Sequence, residues 1–257
     1  MNTAGVNDPI IRYVGVYKSF GPQHVCHDFN LEVNRGETLT IIGASGVGKT
    51  VSIKMLIGLL DADQGEIWFD GMDVARFTRD EDFLSVRKRV AMVFQGSALF
   101  DSMSVFDNVA YPLREQLQLS SKELKAKVEE KLSWVGLPNA SAKMPAELSG
   151  GMKKRIGLAR AIATDPEVIL YDEPTAGLDP INTVRITDLI LSLQEKMHCT
   201  SIVVTHDIPS AVRLSDRAAF LQGGRVLQCG KMDELMNSKN RFVRGFLAGD
   251  PKLADEV

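Results

Sequence analysis

The stretch Gly43-Ala44-Ser45-Gly46-Val47-Gly48-Lys49-Thr50 constrains this chain more than any other, because it is an unbroken G-x-x-x-x-G-K-[ST]. Upstream, Thr38 to Ile42 is a short apolar run rich in β-branched residues, which predicts a buried strand. Downstream, Val51 to Leu60 carries apolar residues at Ile53, Leu56, Ile57 and Leu60, a helical spacing. A strand, a glycine loop and a helix in this order form the context that a phosphate-binding loop requires.

The residue types have physical reasons. Glycines let the backbone curl without Cβ clashes, so successive N–H groups turn inward as an anion-binding nest. The helix N-terminus adds partial positive charge. Lys49 brings a full charge to the β and γ phosphates of a nucleotide, and the Thr50 hydroxyl suits Mg²⁺. The loop does not say which nucleotide machine it serves, since kinases, helicases, GTPases and transporter motors share it.

Composition narrows the classes. The chain has 257 residues, 44% of them hydrophobic, which is ample for a core. No stretch reaches the roughly 18 to 20 apolar residues of a membrane span. The opening MNTAGVNDP has neither a basic segment nor an apolar core, so the reading predicts no signal peptide and a cytosolic chain. A net charge of −3 argues against non-specific nucleic-acid binding as the main task. Cys26, Cys199 and Cys229 are far apart and include no C-x-x-C, so they read as buried free thiols.

In chain order, Ile10 to Val16 reads as a strand, Phe20-Gly21-Pro22 as a turn and Val25 to Val33 as the return strand of an antiparallel hairpin. Either Tyr17 or Phe20 could stack on an adenine; core packing is the alternative for each. Asp63 to Glu66 reads as a turn, Ile67 to Phe69 as a strand and Asp70-Gly71 as a hairpin signal. Val90 to Phe94 predicts a buried strand ending at Gln95. A polar amide there sits where α/β folds place ligands, although an ordinary strand-capping Gln fits equally.

Residues 104 to 164 read as helical, with Ser104 as a cap and Lys122 to Val135 as an amphipathic helix. Leu148-Ser149-Gly150-Gly151 opens a third helix, either as a second anion site or as a plain N-cap. Val168 to Glu173 is an apolar strand ending in two acids. Asp172 is the metal candidate and Glu173 the group that could polarise an attacking water, the alternative being two solvated loop acids. Asp179-Pro180 starts a long helix, and Ser201 to Val204 predicts a strand ending in Thr205-His206-Asp207. His206 could bond a γ-phosphate or be structural. Ala218 to Gln228 reads as a hairpin around Gly223-Gly224, residues 232 to 247 as one or two helices, and Gly249 to Val257 as a loose acidic tail.

Five motifs thus stand in one order: the glycine loop, Gln95, Leu148-Ser149-Gly150-Gly151, Asp172-Glu173 and His206. Together with Ala176-Gly177-Leu178-Asp179, this pattern resembles the nucleotide-binding subunit of ABC transporters. The resemblance implies an α/β fold, a P-loop NTPase of ABC type. It would have a mixed sheet core, an N-terminal antiparallel β subdomain and an inserted helical subdomain at about 97–163. One domain would span residues 8–245, with a tail at 246–257.

The family also implies a mechanism. Two copies sandwich two ATP molecules, each ATP lying between one copy's P-loop and the other copy's LSGG. Carried onto this chain, Phe20 would stack on adenine, and residues 43–50, Gln95, Ser149, Gly150, Gly151 and Asp179 would hold nucleotide. Thr50, Gln95 and Asp172 would serve Mg²⁺, Glu173 would be the general base and His206 the γ-phosphate sensor. Gln95 would couple the site to a membrane partner.

A finer likeness lies in VRKRVAMVFQGSALFDSMSVFDNVAYPLRE and PAELSGGMKKR, where Met152 replaces the Gln usual after LSGG. These stretches resemble the ATPases of Mla/Mce-type phospholipid transporters. The resemblance implies integral-membrane permease subunits, an MCE-domain lipid-binding protein, a small STAS-type regulatory subunit and a place on the cytoplasmic face of the inner membrane. Met152 would weaken ribose contacts slightly. Leu99, Phe100, Met103 and Phe106 are expected to form a groove for a permease helix. A transporter ATPase for another lipid, a sterol or a small solute is the alternative. A DNA- or ribosome-acting ABC protein would carry duplicated cassettes or a coiled coil, and a non-hydrolysing module would lack part of the Lys49, Glu173 and His206 set.

Overall fold

The computed structural model describes residues 9–250. The opening segment read as lacking a leader lies outside them up to residue 8, as does the expected acidic tail from residue 251. In chain order the elements begin with β1 (Pro9–Phe20), β2 (Gln23–Asn34), β3 (Thr38–Ile42), α1 (Lys49–Leu56), β4 (Gln64–Phe69) and β5 (Met72–Asp73). After two short 3₁₀ turns come α2 (Leu84–Arg87), β6 (Val90–Val93), α3 (Val105–Gln116), α4 (Ser121–Trp134), α5 (Gly150–Ala161), β7 (Val168–Asp172) and α6 (Pro180–Met197). The chain closes with β8 (Thr200–Thr205), α7 (Ile208–Leu214), β9 (Arg217–Gln222), β10 (Arg225–Gly230), α8 (Met232–Met236) and α9 (Arg241–Ala248).

These elements form two compact units, one from residues 9–86 together with 200–250, the other from residues 87–199. The first holds an antiparallel sheet in the order β2-β1-β4-β5. It also holds a mixed arrangement in which β3 runs parallel to β8 and β9 while β10 is antiparallel to β9. β3 and β8 are buried along their whole length, which explains their continuous apolar and β-branched character. The C-terminal helices cover one part of this core: Val243 and Leu247 of α9 and Leu235 of α8 pack with Phe220 of β9. Phe242 and Phe246 meet the Phe220 ring edge-on at 5.8 and 5.1 Å. Residues 241–248 are therefore part of this unit's own core, and the tail expected to start at residue 246 does not begin before α9 ends at Ala248, because Phe246 and Leu247 pack against Phe220.

The second unit pairs β6 with β7 in parallel and carries α3, α4, α5 and α6. Ser104 caps α3 through the Asp107 N–H, and Ser120 with Glu123 forms a capping box on α4. Lys131 of α4 is buried, ion-paired to Asp165, with its ammonium 3.7 Å from the Trp134 ring centroid.

Several boundaries differ from the sequence reading. α1 ends at Leu56 rather than Leu60, because Ile57 leaves helical geometry and the chain turns at Gly58. Gln64 to Glu66, read as turn, already belongs to β4, paired with Val14 and Tyr17 of β1. Two of the three thiols are buried; Cys229 is half-buried and accepts from Arg217 at 3.2 Å.

Candidate functional site

In the first unit the glycine loop leaves the carboxyl end of β3. Ile42 is the register partner of Thr205 in β8 and of Phe220 in β9. The loop therefore emerges between two parallel neighbours, at the edge where α/β folds gather ligands. His206 directly follows Thr205, so it sits beside Gly43 on that edge, exposed. Its neighbour Asp207 serves a local purpose: it caps α7, accepting from the Ser210 N–H at 3.2 Å.

The loop has no room for ordinary side chains on its inner course. A Cβ on Gly48, whose φ is 104°, would lie 2.6 Å from the Val25 carbonyl oxygen. Gly48 is also the N-cap of α1 and supplies no side-chain acceptor, so backbone N–H groups of the first turn have no side-chain cap. Lys49 is 6% exposed and curls back, donating to the Gly43 and Ala44 carbonyls at 2.8 and 2.9 Å. Thr50 stands half-buried in the first turn, while Ser45 and Gly46 are exposed. A helix start without a side-chain cap, glycines at Gly43 and Gly48 where a Cβ has no room, and a lysine at the first helical position fit a chain of phosphates.

Phe20 closes β1 at the hairpin tip and is 45% exposed, with the Lys18 ammonium 5.5 Å from its ring centroid. Tyr17 instead packs its ring edge against His27 at 5.2 Å. Of the two aromatics, Phe20 is the one with an open face. Asp63 braces the tip, accepting from Lys18 Nζ at 2.8 Å and the Ser19 N–H at 2.7 Å. The Lys18 hydrogen bond holds the Asp63 carboxyl below the usual range.

In the second unit, Val93 pairs with Tyr171, so the strands carry Gln95 and Glu173 to matching places just past their carboxyl ends. Asp172 is the last residue of β7 and is buried. Glu173 follows at a φ of 47°, left-handed for a residue with a Cβ, and is also buried. Such a conformation persists where the surroundings over-determine it, often at functional sites. Lys154 of α5, 7% exposed, donates to the Gln95 carbonyl and reaches the Glu173 carbonyl at 3.5 Å. Burial pushes the Lys154 ammonium down, while the charges of Glu173 and Asp172 pull it up.

Ser149 caps α5, accepting from the Met152 N–H at 3.3 Å, and it is exposed with Gly150. The capping role is therefore met, and the start of α5 is also open to solvent. Ser149, Gly150, Gly151 and Asp179 line one pocket of about 360 Å³, with Arg155 and Arg185 adding positive charge. Asp179 caps α6 through the Asn182 N–H at 3.0 Å, a bond that keeps its carboxyl ionised to lower pH. Met152 lines the same pocket.

The expected apolar groove takes a different form. A cleft of about 390 Å³ is lined by Met92, Phe100, Tyr111, Pro112 and Gln116, and of the four residues expected only Phe100 contributes. Leu99, Met103 and Phe106 are half-buried. The buried Asn108 amide pins the loop beneath, bonding Phe100 N at 2.8 Å and the Met103 and Ser104 carbonyls at 3.1 Å.

Thr50, Gln95 and Asp172 offer hydroxyl, amide and carboxylate oxygens, the donor chemistry of a hard cation. Among the described residues no group of three or more His, Cys, Asp or Glu could hold a metal ion. A single carboxylate completed by phosphate oxygens is the pattern Mg²⁺ uses. No helix among the described residues is long and apolar enough to cross a membrane.

Comparison with known proteins gives consistent results. The ABC transporter family matches residues 26–176. The Haemophilus influenzae "Intermembrane phospholipid transport system ATP-binding protein MlaF" is 42% identical over 245 residues, 95% of this chain and 92% of its own. A Mycobacterium leprae relative, "Probable ribonucleotide transport ATP-binding protein mkl", is 39% identical over 93% of this chain and 69% of its own. A dimeric ATP-binding cassette bound to ADP and Pi superposes with a TM-score of 0.79 at 29% identity, covering 86% of this chain and 98% of that one.

Proposed function

Because the chain belongs to the ABC transporter family of ATP-binding proteins, we propose that it is the ATP-hydrolysing subunit of a transporter that moves phospholipids between envelope membranes. The observation that carries the ATP reading is the cradle around Gly43 to Thr50, with His206 beside it in strand register. The cargo rests on the extent of similarity to the phospholipid-transport relative. A ribonucleotide or other small-solute cargo is the second reading, favoured by the mycobacterial relative.

In this reading residues 8–245 belong to one ABC ATPase domain, with a helical subdomain near 97–163, and α9 extends that domain to Ala248, past the boundary expected for a tail at 246–257. Phe20 stacks on adenine. The N–H groups of residues 43–50 and Lys49 hold the phosphates. Thr50, Gln95 and Asp172 would hold Mg²⁺, which would supply charge screening for the phosphates. Glu173 takes a proton from the attacking water, and His206 donates to the γ-phosphate. Ser149, Gly150, Gly151 and Asp179 meet the nucleotide of a second copy, and Met152 touches its ribose without hydrogen-bonding it. The cleft beside Phe100 and Tyr111 receives a cytoplasmic helix of a permease. The subunit works on the cytoplasmic face of the inner membrane; an MCE-domain protein and a STAS-type subunit complete the partners, and nucleic acid has no part.

The test is phosphate release from ATP by the full-length chain. The expected result is release that stops on chelation of Mg²⁺ and on Lys49→Ala, which also weakens ATP binding. A chain that neither binds nor hydrolyses ATP overturns the reading.

A further inference from the structure

Helix α5 carries one more feature of consequence, four residues beyond Gly150. Lys154 is buried, yet its ammonium faces two backbone carbonyls from different loops, those of Gln95 and Glu173. Both carbonyls belong to turns just past the ends of β6 and β7. Both turns are also unusual in backbone: Ser97, Ala98 and Glu173 have φ of 63°, 46° and 47°. The same helix face holds the Gln95 loop at further points. Arg160 donates to the Ser97 and Ala98 carbonyls at 3.0 and 2.7 Å. Gly157 approaches so closely that a Cβ there would lie 3.3 Å from Ser97 Cβ.

We propose that Lys154 is a positioning residue for hydrolysis: it fixes the backbone of Gln95 and Glu173 in one arrangement, set by the helix that opens at Ser149. The proposal rests on the roles given above to Gln95, Glu173 and Ser149. A buried ammonium with three donors can hold two carbonyls at once, and the Glu173 carbonyl, which also accepts from the Ala176 N–H at 3.1 Å, is thereby tied to α5. Its place on α5 means that a shift of the Ser149 end along the helix axis is passed to the Gln95 backbone through one hydrogen bond and to the backbone of the general base through the other. A single rigid helix therefore links the surface that meets a second copy to the group that activates water. In this role Lys154 acts through Glu173 and Gln95 rather than on the reacting atoms.

The experiment is steady-state ATP hydrolysis by the full-length chain, comparing wild type, Lys154→Met and Lys154→Arg, with ATP affinity measured separately by calorimetry. Lys154→Met keeps the length of the side chain and removes the donors. The expected result is a kcat about 10- to 100-fold lower, the scale at which small misplacements of catalytic groups act, with ATP affinity within about threefold of wild type. Lys154→Arg, which restores a cation with several donors, recovers part of the rate. A role in stability alone would lower the melting temperature without this split between rate and affinity. Where Lys154→Met fails to fold, Lys154→Gln, with a neutral donor, is read by the same criteria. An active wild type with an unaffected Lys154→Met overturns this inference alone, as does a variant that loses affinity at unchanged kcat. A wild type without turnover overturns the functional reading and this inference with it.

Discussion

Gly43 faces the backbone of Leu221 so closely that a Cβ on it would lie 2.3 Å from the Leu221 carbonyl oxygen. The obstacle is a backbone atom of β9, whose register with β3 is fixed by Leu39↔Arg217 through Ile42↔Phe220. Gly43→Ala must therefore move the start of the loop. It is expected to cost about 1–3 kcal/mol, as overpacking does, and to weaken ATP binding with it. Thermal unfolding and calorimetry check this; unchanged values in both would contradict the close approach.

Glu173→Gln keeps the shape of the side chain and removes the base. ATP binding should persist while turnover falls by ~10²- to 10⁴-fold, the usual contribution of general base catalysis. That loss corresponds to about 3–5 kcal/mol of barrier. Hydrolysis at the wild-type rate would remove Glu173 from the mechanism.

Ser149→Arg separates the two roles that coincide at the start of α5. Loss of the cap alone costs about 1 kcal/mol, so the fold should survive. In a Glu173→Gln background, ATP should no longer drive dimer formation, because the pocket of Ser149, Gly150, Gly151 and Asp179 would be filled. Light scattering after size-exclusion chromatography reads this, and normal dimerisation would contradict the second-copy role.

Asp165 gives a stability test outside the site. It pairs with Lys127 at 3.0 Å and with Lys131, whose side chain is 1% exposed. Burial raises the Asp165 carboxyl, but the Lys131 and Lys127 hydrogen bonds outweigh it and the net shift is downward. A carboxyl depressed in the folded state stabilises fully above its unfolded value of about 3.9, and this contribution fades as pH falls through the folded value. Asp165→Asn leaves Lys131 without its counter-ion; allowing for the half-exposed Asp165, the cost should be about 1–3 kcal/mol near neutral pH. That is a fall in melting temperature of roughly 3–10 °C for a chain of this size. The variant should also lose less stability than wild type on acidification. Lys131→Met should be within about 1 kcal/mol of wild type, since an apolar side chain suits that buried position. Equal losses in both variants would refute the pairing argument.

Much of this was legible in the sequence, for specific reasons. Gly43 to Thr50 combines a motif with its flanks, and the apolar runs 38–42, 168–172 and 201–204 have too few polar residues to be anything but buried strands. The parts that were not legible depend on tertiary contact. Lys154 stands in a Lys153-Lys154-Arg155 run with no local signal for burial, and it is buried where α5 packs against the turns that hold Gln95 and Glu173. Asn108 carries no local sequence signal for its role, yet its amide organises the loop from Phe100 to Ser104. The left-handed backbone of Glu173 has no signal in a non-glycine residue. The residues alone left Tyr17 and Phe20 open and the family resemblance pointed to Phe20; that His27 packs against Tyr17 while Phe20 stays exposed is a tertiary fact with no local sequence signal.

The most direct measurement is native mass spectrometry of the complex captured through this chain from its own membranes. The account predicts two copies of the chain, a permease and bound phospholipid. A permease with a different ligand would keep the ATP-hydrolysing role and contradict the phospholipid cargo. The chain emerging alone, or with ribosomes, would contradict the transporter function itself.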